Sequence, residues 1–492
     1  MTLSGRLPPD PHTNRPGRAS SHWLVLAVLA LAQVMVVLDA TVVNIALPSA
    51  QADLDFDDSQ RQWLITGYAL SFGSLLLIGG RLADLFGRKQ AFVAGVIGFA
   101  IASVAGGAAG SFEVLVAARV GQGVFAALLA PASLALLTTT FTEADERARA
   151  FGVFGAISGA GGAIGLLLGG ALTQYLDWRW CMYINVVIAA FALIGGLALL
   201  KSSTPTERPR LDLVGVSTAT AGMFALVFGL ANAHTDAWSA PSTWGPVAGG
   251  AALLTSFVVW QSKVARPLLP LRILLHRNRG GSFLAVFVLC AGMFAIFLFM
   301  TFYLQQNLGF GPVRTGLAFL PMILALMISA TLGTTLLLPK VGPRLLVMAG
   351  MLVAAAGTAF MSLVNETSSY AADVLPGLIV AGLGLGLALS AGMNVGTAGV
   401  EEEDSGAASA AIQAVQQLGG SIGTALFSTI AASAFSDALG QGAIPSTAAI
   451  SGYAIAFAWA AGLFAIGGTI AGLVLRSGIP DELTSAHPSV PA

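Results

Sequence analysis

The sequence predicts an all-α polytopic membrane protein. Charged residues make up 10% and hydrophobic residues 56% of the 492-residue chain, and the mean hydropathy is +0.81. A soluble domain carries roughly a quarter charged residues, so this chain has too few charges to cover a water-exposed surface. These values exclude an ordinary soluble enzyme and a disordered chain. Two cysteines are also too few for a disulfide-linked scaffold.

Apolar stretches of membrane-spanning length occur fourteen times. A spanning helix needs about 20 mostly apolar residues, and charges, Pro/Gly clusters or polar runs separate one stretch from the next. The predicted spans lie near 23–47, 62–80, 91–110, 113–140, 151–173, 180–200, 213–232, 247–262, 281–304, 317–338, 345–364, 373–394, 408–435 and 449–475.

The distribution of basic residues predicts the orientation. With the N-terminus inside, all but four of the 23 Lys and Arg residues fall on the inner side. Arg61, Arg179 and Arg314 lie on outer segments, and Arg119 lies within a span. Because inner loops are enriched in Lys and Arg, both termini are expected in the cytoplasm. Abundant Ala, Gly and Arg are typical of a GC-rich bacterial genome, which favours the bacterial cytoplasmic (inner) membrane.

The chain also contains an internal repeat. LFGRKQAFVAG around Gly87 resembles KVGPRLLVMAG around Gly342, and GGAIG at 161–165 resembles GGSIG at 419–423. Two similar six-helix halves in one orientation are typical of a parallel-repeat transporter; chance similarity among Ala/Gly-rich helices is the alternative. The predicted organisation is a disordered cytoplasmic tail (1–22), an N-terminal six-helix bundle (23–200), a linker with two extra transmembrane helices (201–280), a C-terminal six-helix bundle (281–475) and a cytoplasmic tail (476–492).

A tightly charged turn follows the second predicted span. Its sequence GRLADLFGRK contains Gly80, Asp84, Gly87, Arg88 and Lys89. Charges this close between two apolar helices predict a short cytoplasmic turn, in which Gly80 and Gly87 permit close backbone approach. A turn that only set the topology would need positive charges, but no Asp between glycines.

This turn resembles the signature between the second and third spans of the major facilitator superfamily. Four further motifs resemble its fourteen-span drug/proton antiporter branch, the multidrug efflux permeases: LDATVVNIALP (38–48), WLITGY (63–68), RVGQG (119–123) and WRW (178–180) followed by Asn185. The resemblance runs over residues 23–475. It implies the major-facilitator fold, two six-helix bundles plus two inserted spans, with alternating access and a cytoplasmic gate that the charged turn latches.

The fifth span resembles the antiporter motif of this branch, G-x₈-G-x₃-G-P-x₂-G-G. All its glycines are present, as Gly152, Gly161, Gly165, Gly169 and Gly170. Leu166 stands at the Pro position, which removes a helix bend. In the family the motif accompanies export. The alternative is an ordinary glycine-lined packing seam, because glycines let another helix approach closely.

Two charged residues, Asp39 and Arg119, lie well within predicted spans. A charge at the bilayer centre costs at least ~2.5–3.5 kcal/mol, so such residues are normally paired, hydrated or functional. From the helix rise, Asp39 lies ~24 Å from the inner face and Arg119 ~9 Å below the outer face. These depths agree within ~5 Å in a core of ~30 Å. Since the family fold sets spans one and four against one cavity, the two side chains are expected to face each other.

We expect Asp39 to be the proton-coupling carboxylate and Arg119 to tune it. Burial disfavours a charged carboxylate and a nearby arginine favours it. A cavity that opens alternately inward and outward would change both effects, so that a proton loads outside and leaves inside. The alternative is a static ion pair that holds two helices together.

The second half has no ionisable residue deep in a predicted span, so we expect it to form an apolar wall with amides. The candidate substrate-cavity residues are polar or aromatic: Asn44, Tyr68, Gln122, Phe294, Phe297, Gln305, Asn394, Gln413, Gln416 and Gln417. As a set they suit a bulky apolar or aromatic ligand better than a sugar, which needs many hydrogen-bonding partners. Helix packing is the alternative for each residue taken singly.

The sequence thus predicts a transporter rather than an enzyme: a proton-coupled exporter (antiporter) of hydrophobic or amphipathic drugs or natural products, of the kind that gives antibiotic resistance. It contains no G-x-x-x-x-G-K-[ST] loop and no metal-ligand spacing among its histidines. We therefore expect no cofactor, ATP, metal or nucleic acid, and expect a monomer whose partners are a small-molecule substrate, protons and the lipid bilayer. The alternatives are a proton-coupled uptake symporter for a small metabolite, and a non-transporting membrane scaffold or lipid translocase.

Overall fold

The fold is built from α-helices. The computed structural model describes residues 16–141, 143–201, 212–236, 240–264, 267, 271–397, 400 and 405–476, and this part contains no β-strand. Its helices are α1 Pro16–Leu54, α2 Asp58–Phe86, α3 Arg88–Gly107, α4 Phe112–Thr140, α5 Ala144–Tyr175, α6 Trp180–Leu199, α7 Leu213–Asp236, α8 Pro241–Gln261, α9 Leu271–Leu275, α10 Arg277–Phe302, α11 Pro312–Leu332, α12 Leu338–Met361, α13 Leu375–Thr397, α14 Ser405–Gly440 and α15 Pro445–Val474. The predicted tails lie outside the described residues before residue 16 and after residue 476.

The helices are long enough to cross a bilayer. Eleven described segments meet both the length and the hydropathy of a membrane span, and one of them, Pro312–Met361, contains α11, a π-helical turn and α12. Shorter apolar pieces lie in α2 and α5. The predicted all-α polytopic architecture is confirmed, while the count of fourteen spans stays a prediction.

Most of the described helices begin earlier than the predicted spans, α1 and α10 among them. α1 begins at Pro16 and α10 at Arg277, whereas the apolar stretches begin at 23 and 281. Hydropathy marks only the apolar part of a helix, and polar first turns can lie beyond the lipid. Proline also fits the first turn of a helix, where its missing N–H leaves no bond unmade.

Helices α1–α6 and α10–α15 pack in the same pattern. α1 contacts α5 and α6 as α10 contacts α14 and α15, and α4 contacts α2 and α3 as α13 contacts α11 and α12. Gly87 and Gly342, which the repeat aligns, have φ angles of 100° and 74°, which favour glycine. We call the end of the bundle where α1 begins the proximal end, and the end where α1 finishes the distal end.

The inserted pair α7–α8 lies against both halves. α7 contacts α2 and α14, and Thr220 Oγ1 donates a hydrogen bond to the Ser74 carbonyl at 3.0 Å. Asp212 closes the proximal base of the pair. Its carboxylate accepts from the Gly215 amide at 2.9 Å, from Trp260 Nε1 at 2.8 Å and from Gln261 Nε2 at 2.7 Å. It therefore caps the start of α7 and holds the end of α8.

Residues of the WRW motif form an ion pair and hydrogen bonds that join three segments at the distal end. Arg179 Nη1 lies 2.7 Å from Asp53 Oδ2, and Trp178 Nε1 donates to the same oxygen at 3.1 Å. Arg179 Nη2 also donates to the Ala109 carbonyl at 3.2 Å. These bonds join the end of α1, the loop after α3 and the start of α6.

Candidate functional site

The candidate site centres on an ion pair between α1 and α4. Asp39 and Arg119 are 0% and 2% exposed, and Arg119 Nη1 lies 2.5 Å from Asp39 Oδ2. The depths worked from the helix rise predict that these side chains meet, and the structure places them in direct contact.

Three neighbouring polar side chains complete the surroundings of the Asp39 carboxylate. Its Oδ1 accepts hydrogen bonds from Gln122 Nε2 at 2.9 Å and from Asn185 Nδ2 at 2.7 Å. Gln122 Oε1 accepts from Arg119 Nη1 at 2.8 Å, and its Nε2 also donates to Ser103 Oγ at 2.9 Å. An unpaired buried charge is costly, and these contacts give both carboxylate oxygens a donor.

Arg119 connects the pair to α2. Its Nε donates to the Leu64 carbonyl at 3.1 Å. Its guanidinium carbon lies 4.5 Å from the centroid of the buried Tyr68 ring, within cation–π range. One network therefore joins α1, α2 and α4, and through Asn185 it reaches α6.

A glycine on α4 explains how Arg119 reaches α2. An ideal Cβ on Gly123 would lie 2.0 Å from Ser71 Oγ and 2.4 Å from the Tyr68 carbonyl oxygen, so the two helices meet at a position where only glycine fits. Residues four apart share a helix face. Arg119, one turn before Gly123, therefore faces α2 where the helices are closest, which accounts for the spacing in RVGQG.

The second half has a glycine at the position equivalent to Arg119. Gly386 packs on the backbone of α11 as Gly123 packs on the backbone of α2, and this alignment matches Arg119 with Gly382. An ideal Cβ on Gly382 would lie 2.3 Å from the Met322 carbonyl oxygen. No larger side chain fits there, so the charged network belongs to the first half.

Comparison with known proteins identifies the family. A family model described as "Major Facilitator Superfamily" matches residues 29–424. The chain belongs to the Major Facilitator Superfamily. It is 44% identical over 472 residues to the "Puromycin resistance protein pur8" of Streptomyces alboniger, covering 94% of each chain. It is 36% identical over 426 residues to the "Cephamycin export protein CmcT" of Amycolatopsis lactamdurans, covering 86% of this chain and 87% of the relative.

A solved structure supports the fold of this superfamily member. The "bacterial homolog to human lysosomal transporter, Spinster, in inward-facing and occupied conformation" aligns with a TM-score of 0.67 over 95% of this chain and 99% of that chain, at 17% identity. The family model and the two relatives confirm the resemblance that the sequence motifs predict. Each motif is a loose match when taken alone, and the motifs from several spans carry the resemblance jointly.

Two basic residues of the gate motif, Arg88 and Lys89, bind carbonyls of the first half. Lys89 Nζ donates to the Leu197 and Leu200 carbonyls at the end of α6, at 2.9 and 2.7 Å, where a positive charge is favourable. Arg88 Nη1 donates to the Ala135 carbonyl at 3.4 Å. The side chain of Asp84 lies outside the described part of the structure.

The close backbone approach predicted at Gly80 occurs one residue earlier, so that prediction is wrong. An ideal Cβ on Gly79 would lie 1.9 Å from the Ala127 carbonyl oxygen, whereas one on Gly80 would meet only Pro131 Cβ at 3.6 Å. The reason is rotational: Gly79 lies on the face of α2 that packs on α4, and Gly80 points past it.

The antiporter-motif glycines of α5 meet two different helices. Ideal Cβ atoms on Gly165 and Gly169 would lie 2.0 Å from Thr41 Oγ1 and 2.7 Å from Val42 Cγ2 on α1, and Gly161 packs on the same helix. A Cβ on Gly170 would lie 2.6 Å from the Pro312 carbonyl oxygen at the start of α11. Buried Leu166 lies beside that second contact, where its carbonyl oxygen faces Gly316. Gly152 is part of α5, but its surroundings lie outside the described residues.

The candidate cavity residues do not form one cluster. Tyr68 and Gln122 belong to the charged network. Gln305 Nε2 donates to the Ile45 carbonyl at 3.1 Å, between α1 and the turn after α10. The Phe297 ring lies 5.2 Å from the Phe319 ring.

The remaining candidate cavity residues lie where helices pack on one another or form hydrogen bonds within their own helix. An ideal Cβ on Gly420 would lie 2.8 Å from the Phe294 ring, and one on Gly73 would lie 2.9 Å from Gln417 Cβ. Gln416 Nε2 lies 3.6 Å from Met393 Sδ. Gln413 is half-buried on α14, and Asn44 and Asn394 donate to carbonyls four residues earlier in their own helices.

The two halves meet at the distal end. Besides the bond from Gln305, the Val313 amide donates to Gln174 Oε1 at 3.1 Å. The Arg61 guanidinium carbon lies 4.1 Å from the centroid of the Phe302 ring. These contacts join α1, α2 and α5 to α10 and α11, so the space between these helices is closed at this end.

Sequence reasoning misses the roles of Asn185 and Ser103. In the sequence Asn185 stands out only as part of a motif, and Ser103 does not stand out. A lone amide in the otherwise apolar α6 is the available signal, because buried polar groups are normally hydrogen-bonded. Ser103 gives no comparable signal, since serine commonly bonds to its own helix.

Proposed function

We propose that this protein is a proton-coupled exporter of hydrophobic or amphipathic drugs or natural products. The observation that carries the proposal is the buried Asp39–Arg119 pair with its donors Gln122 and Asn185. The similarity to a puromycin resistance protein and a cephamycin export protein supports outward transport of such compounds. Leu166 departs from the antiporter motif, but the described glycine contacts of that helix are retained.

Asp39 is the proton acceptor in this proposal. When a proton binds Oδ2, the carboxyl group loses its charge and holds Arg119 less strongly. Arg119 keeps its bonds to the Leu64 carbonyl and Gln122 Oε1, so its contacts with α2 and α4 persist while its contact with α1 weakens. Protonation therefore changes chiefly how α1 is held.

This change acts on the contacts that join the two halves at the distal end. Ile45, whose carbonyl accepts the hydrogen bond from Gln305, lies six residues after Asp39 on α1, a rise of ~9 Å. A shift of α1 at Asp39 thus acts on a contact between the two halves. Proton binding and release at Asp39 would drive alternating access.

The remaining features follow the predicted orientation. The protein spans the bacterial cytoplasmic membrane as a monomer, with both termini in the cytoplasm and the distal end outside. It uses the proton gradient without ATP, metal or another cofactor, and it transports its substrate without chemical change.

Everted membrane vesicles test this function. Acidify the vesicle interior and add puromycin as the probe: an exporter should discharge the pH gradient, and Asp39→Asn should not. Asp373→Asn, the same change near the distal end of α13, is the matched control and should behave as the unaltered protein. An uptake symporter would instead accumulate the probe in whole cells as the external pH falls, and a scaffold or lipid translocase would do neither. Full discharge by Asp39→Asn would overturn the proton role.

A further inference from the structure

A cavity of about 510 Å³ lies at the distal end between the two halves. Its walls come from the end of α1, the start of α2, and the distal parts of α14 and α15. They include Phe56, Arg61, Ser428, Phe435 and Tyr453. We call it the distal cavity. Its volume lies within the range of sites for drug-sized ligands, about 300–1,000 Å³.

Hydroxyl groups without partners lead from the bundle interior to this cavity. Ser421, Thr424 and Ser428 are buried on α14, and none of their hydroxyls makes a hydrogen bond in the structure. Their spacing of three and four residues places them on one helix face. By contrast, neighbouring Thr429 bonds to the carbonyl four residues earlier in the usual way, at 2.9 Å. We call the first three the hydroxyl row.

The hydroxyl row faces α2. Gly73 of α2 packs on Gln417 of α14, and the two helices run in opposite directions. Seven residues, or two turns, towards the distal end from this contact lie Thr66 on α2 and Thr424 on α14. Thr66 is also buried with an unpartnered hydroxyl. The seam between the halves therefore carries four such groups, and it ends at the distal cavity.

An unpartnered buried hydroxyl costs free energy, and four along one seam are unusual because buried polar groups normally find partners. The cost is recovered when a polar ligand or water occupies the seam. The seam joins the two halves, so a change in their separation would open it to such a ligand.

The chemistry of the distal cavity defines the ligand. Arg61, 7% exposed, brings a buried positive charge to the wall, whereas the Asp57 carboxylate, which also lines the cavity, lies at an exposed position. Arg61 also stacks on Phe302 of the other half. Ser428 adds a hydroxyl with no partner. Phe56, Phe435 and Tyr453 add aromatic surface.

We propose that the distal cavity is a binding site for the exported compound, occupied on its way out. Its ligand has an aromatic or apolar body and an anionic or hydrogen-bond-accepting group. The acceptor lies against Arg61 and Ser428, and the body lies against Phe435 and Tyr453. A ligand acceptor competes with Phe302 for Arg61, so occupancy loosens a contact that holds the distal end closed. This inference rests on the proposed export function.

Binding of a fluorescent aromatic anion, 1-anilinonaphthalene-8-sulfonate, to the full chain in phosphatidylcholine nanodiscs tests the site. Arg61→Gln should weaken binding about 10-fold or more, the effect of losing a charge-assisted hydrogen bond. Arg314→Gln is the matched control, because that arginine also stacks on a phenylalanine, Phe310, at the distal end, yet does not line the cavity. Equal affinities in both variants would overturn the proposal.

A labelling experiment covers the case in which Arg61→Gln fails to fold. The buried native cysteines do not line the distal cavity, whereas Ser428 does, so a maleimide that enters the cavity should react selectively with Ser428→Cys. The anion should slow this reaction, and it should not slow labelling of Ser433→Cys, an exposed position on the same helix. If the anion leaves the labelling rate of Ser428→Cys unchanged, the proposed site is wrong.

Two further experiments distinguish a site for the exported compound from a lipid headgroup site, and distinguish failure of this site from failure of the export function. If added phosphatidylglycerol displaces the anion from the unaltered protein, the cavity is a lipid headgroup site and the cargo assignment is wrong. Asp39→Asn should still bind the anion while failing to discharge the pH gradient. If Arg61→Gln loses anion binding but still exports the probe, the exported compound does not need the distal cavity. That result would refute this proposal, but not the export function.

Discussion

Replacing Arg119 with methionine leaves the Asp39 carboxylate buried without its counter-ion. Removing one partner of a buried ion pair costs about 3–5 kcal/mol, and here the pair is almost fully buried. The Leu64 carbonyl and Gln122 Oε1 also lose the donor that Arg119 supplies. We therefore expect Arg119→Met to lower the free energy of unfolding by about 3–5 kcal/mol.

The double variant Asp39→Asn with Arg119→Met should recover most of this loss. The amide oxygen that replaces the carboxylate remains an acceptor for Gln122 and Asn185, and no charge remains to be paired. Replacing a whole buried pair by neutral groups is often close to neutral, so we expect a net loss of about 1–2 kcal/mol or less. The corresponding coupling energy between the two positions is about 2 kcal/mol or more.

The measurement is reversible unfolding by sodium dodecyl sulfate in mixed micelles, followed by tryptophan fluorescence. Arg314→Met is the control; it removes an exposed arginine and should change stability by no more than about 0.5 kcal/mol. Transport adds a second readout, because the stable double variant should still not discharge a pH gradient. A loss below about 1 kcal/mol for Arg119→Met, or no recovery in the double variant, would refute the reasoning.

Two further outcomes follow from the packing of α2 and of the inserted pair. Gly79→Ala should lower the free energy of unfolding by about 1–3 kcal/mol, the cost of overpacking, because its Cβ would collide with the backbone of α4; thermal unfolding in detergent measures the loss. Asp212→Ala should speed hydrogen exchange in α7 at pH 7, since losing a helix cap costs about 0.5–2 kcal/mol. Partial burial raises the pKa of Asp212, but its hydrogen bonds and the charge of Arg81 lower it more, so this pKa lies below its usual range. The capping contribution is therefore present above the unfolded pKa of about 3.9 and is lost as the pH falls through the folded pKa, so the two proteins should converge in acid.

Each of these predictions has an internal comparison. Gly80→Ala should leave stability unchanged or raise it by up to about 1 kcal/mol through helix propensity, because no atom crowds that position; a loss equal to that of Gly79→Ala would contradict the packing argument. For Asp212, exchange must be corrected for the intrinsic rate at each pH, and exchange in α3 should not change. A constant difference between the proteins across the acid range would show that the carboxylate charge plays no part.

The level of the ion pair was predictable because the helix rise is fixed. Counting residues from the ends of two spans was enough to place Asp39 and Arg119 at one depth, and the direct contact follows once α1 and α4 are neighbours. The rotation of a helix about its own axis is set by packing against other helices, which the count does not give. For this reason Gly79 rather than Gly80 meets α4.

The seam between the halves could not be predicted from local patterns. Thr66 and Thr424 are separated by more than 350 residues in the sequence, and their common level depends on how α2 and α14 meet. Serine and threonine are ordinary in membrane helices, where they usually bond to a carbonyl one turn back. Only the three-dimensional arrangement reveals which hydroxyls lack that bond.

The inserted pair makes the molecule unequal on its two flanks. On one flank α7 covers the line where α2 and α14 meet, whereas on the other α5 and α11 meet without an intervening described helix. In the proposed alternating access, α7 would have to slide over at least one of the two halves, because it contacts both. Under the proposed export function, a compound dissolved in the bilayer would reach the boundary between the halves more directly from the flank that α7 does not cover. In that case the position of the inserted pair, rather than any single side chain, would decide from which flank the compound enters.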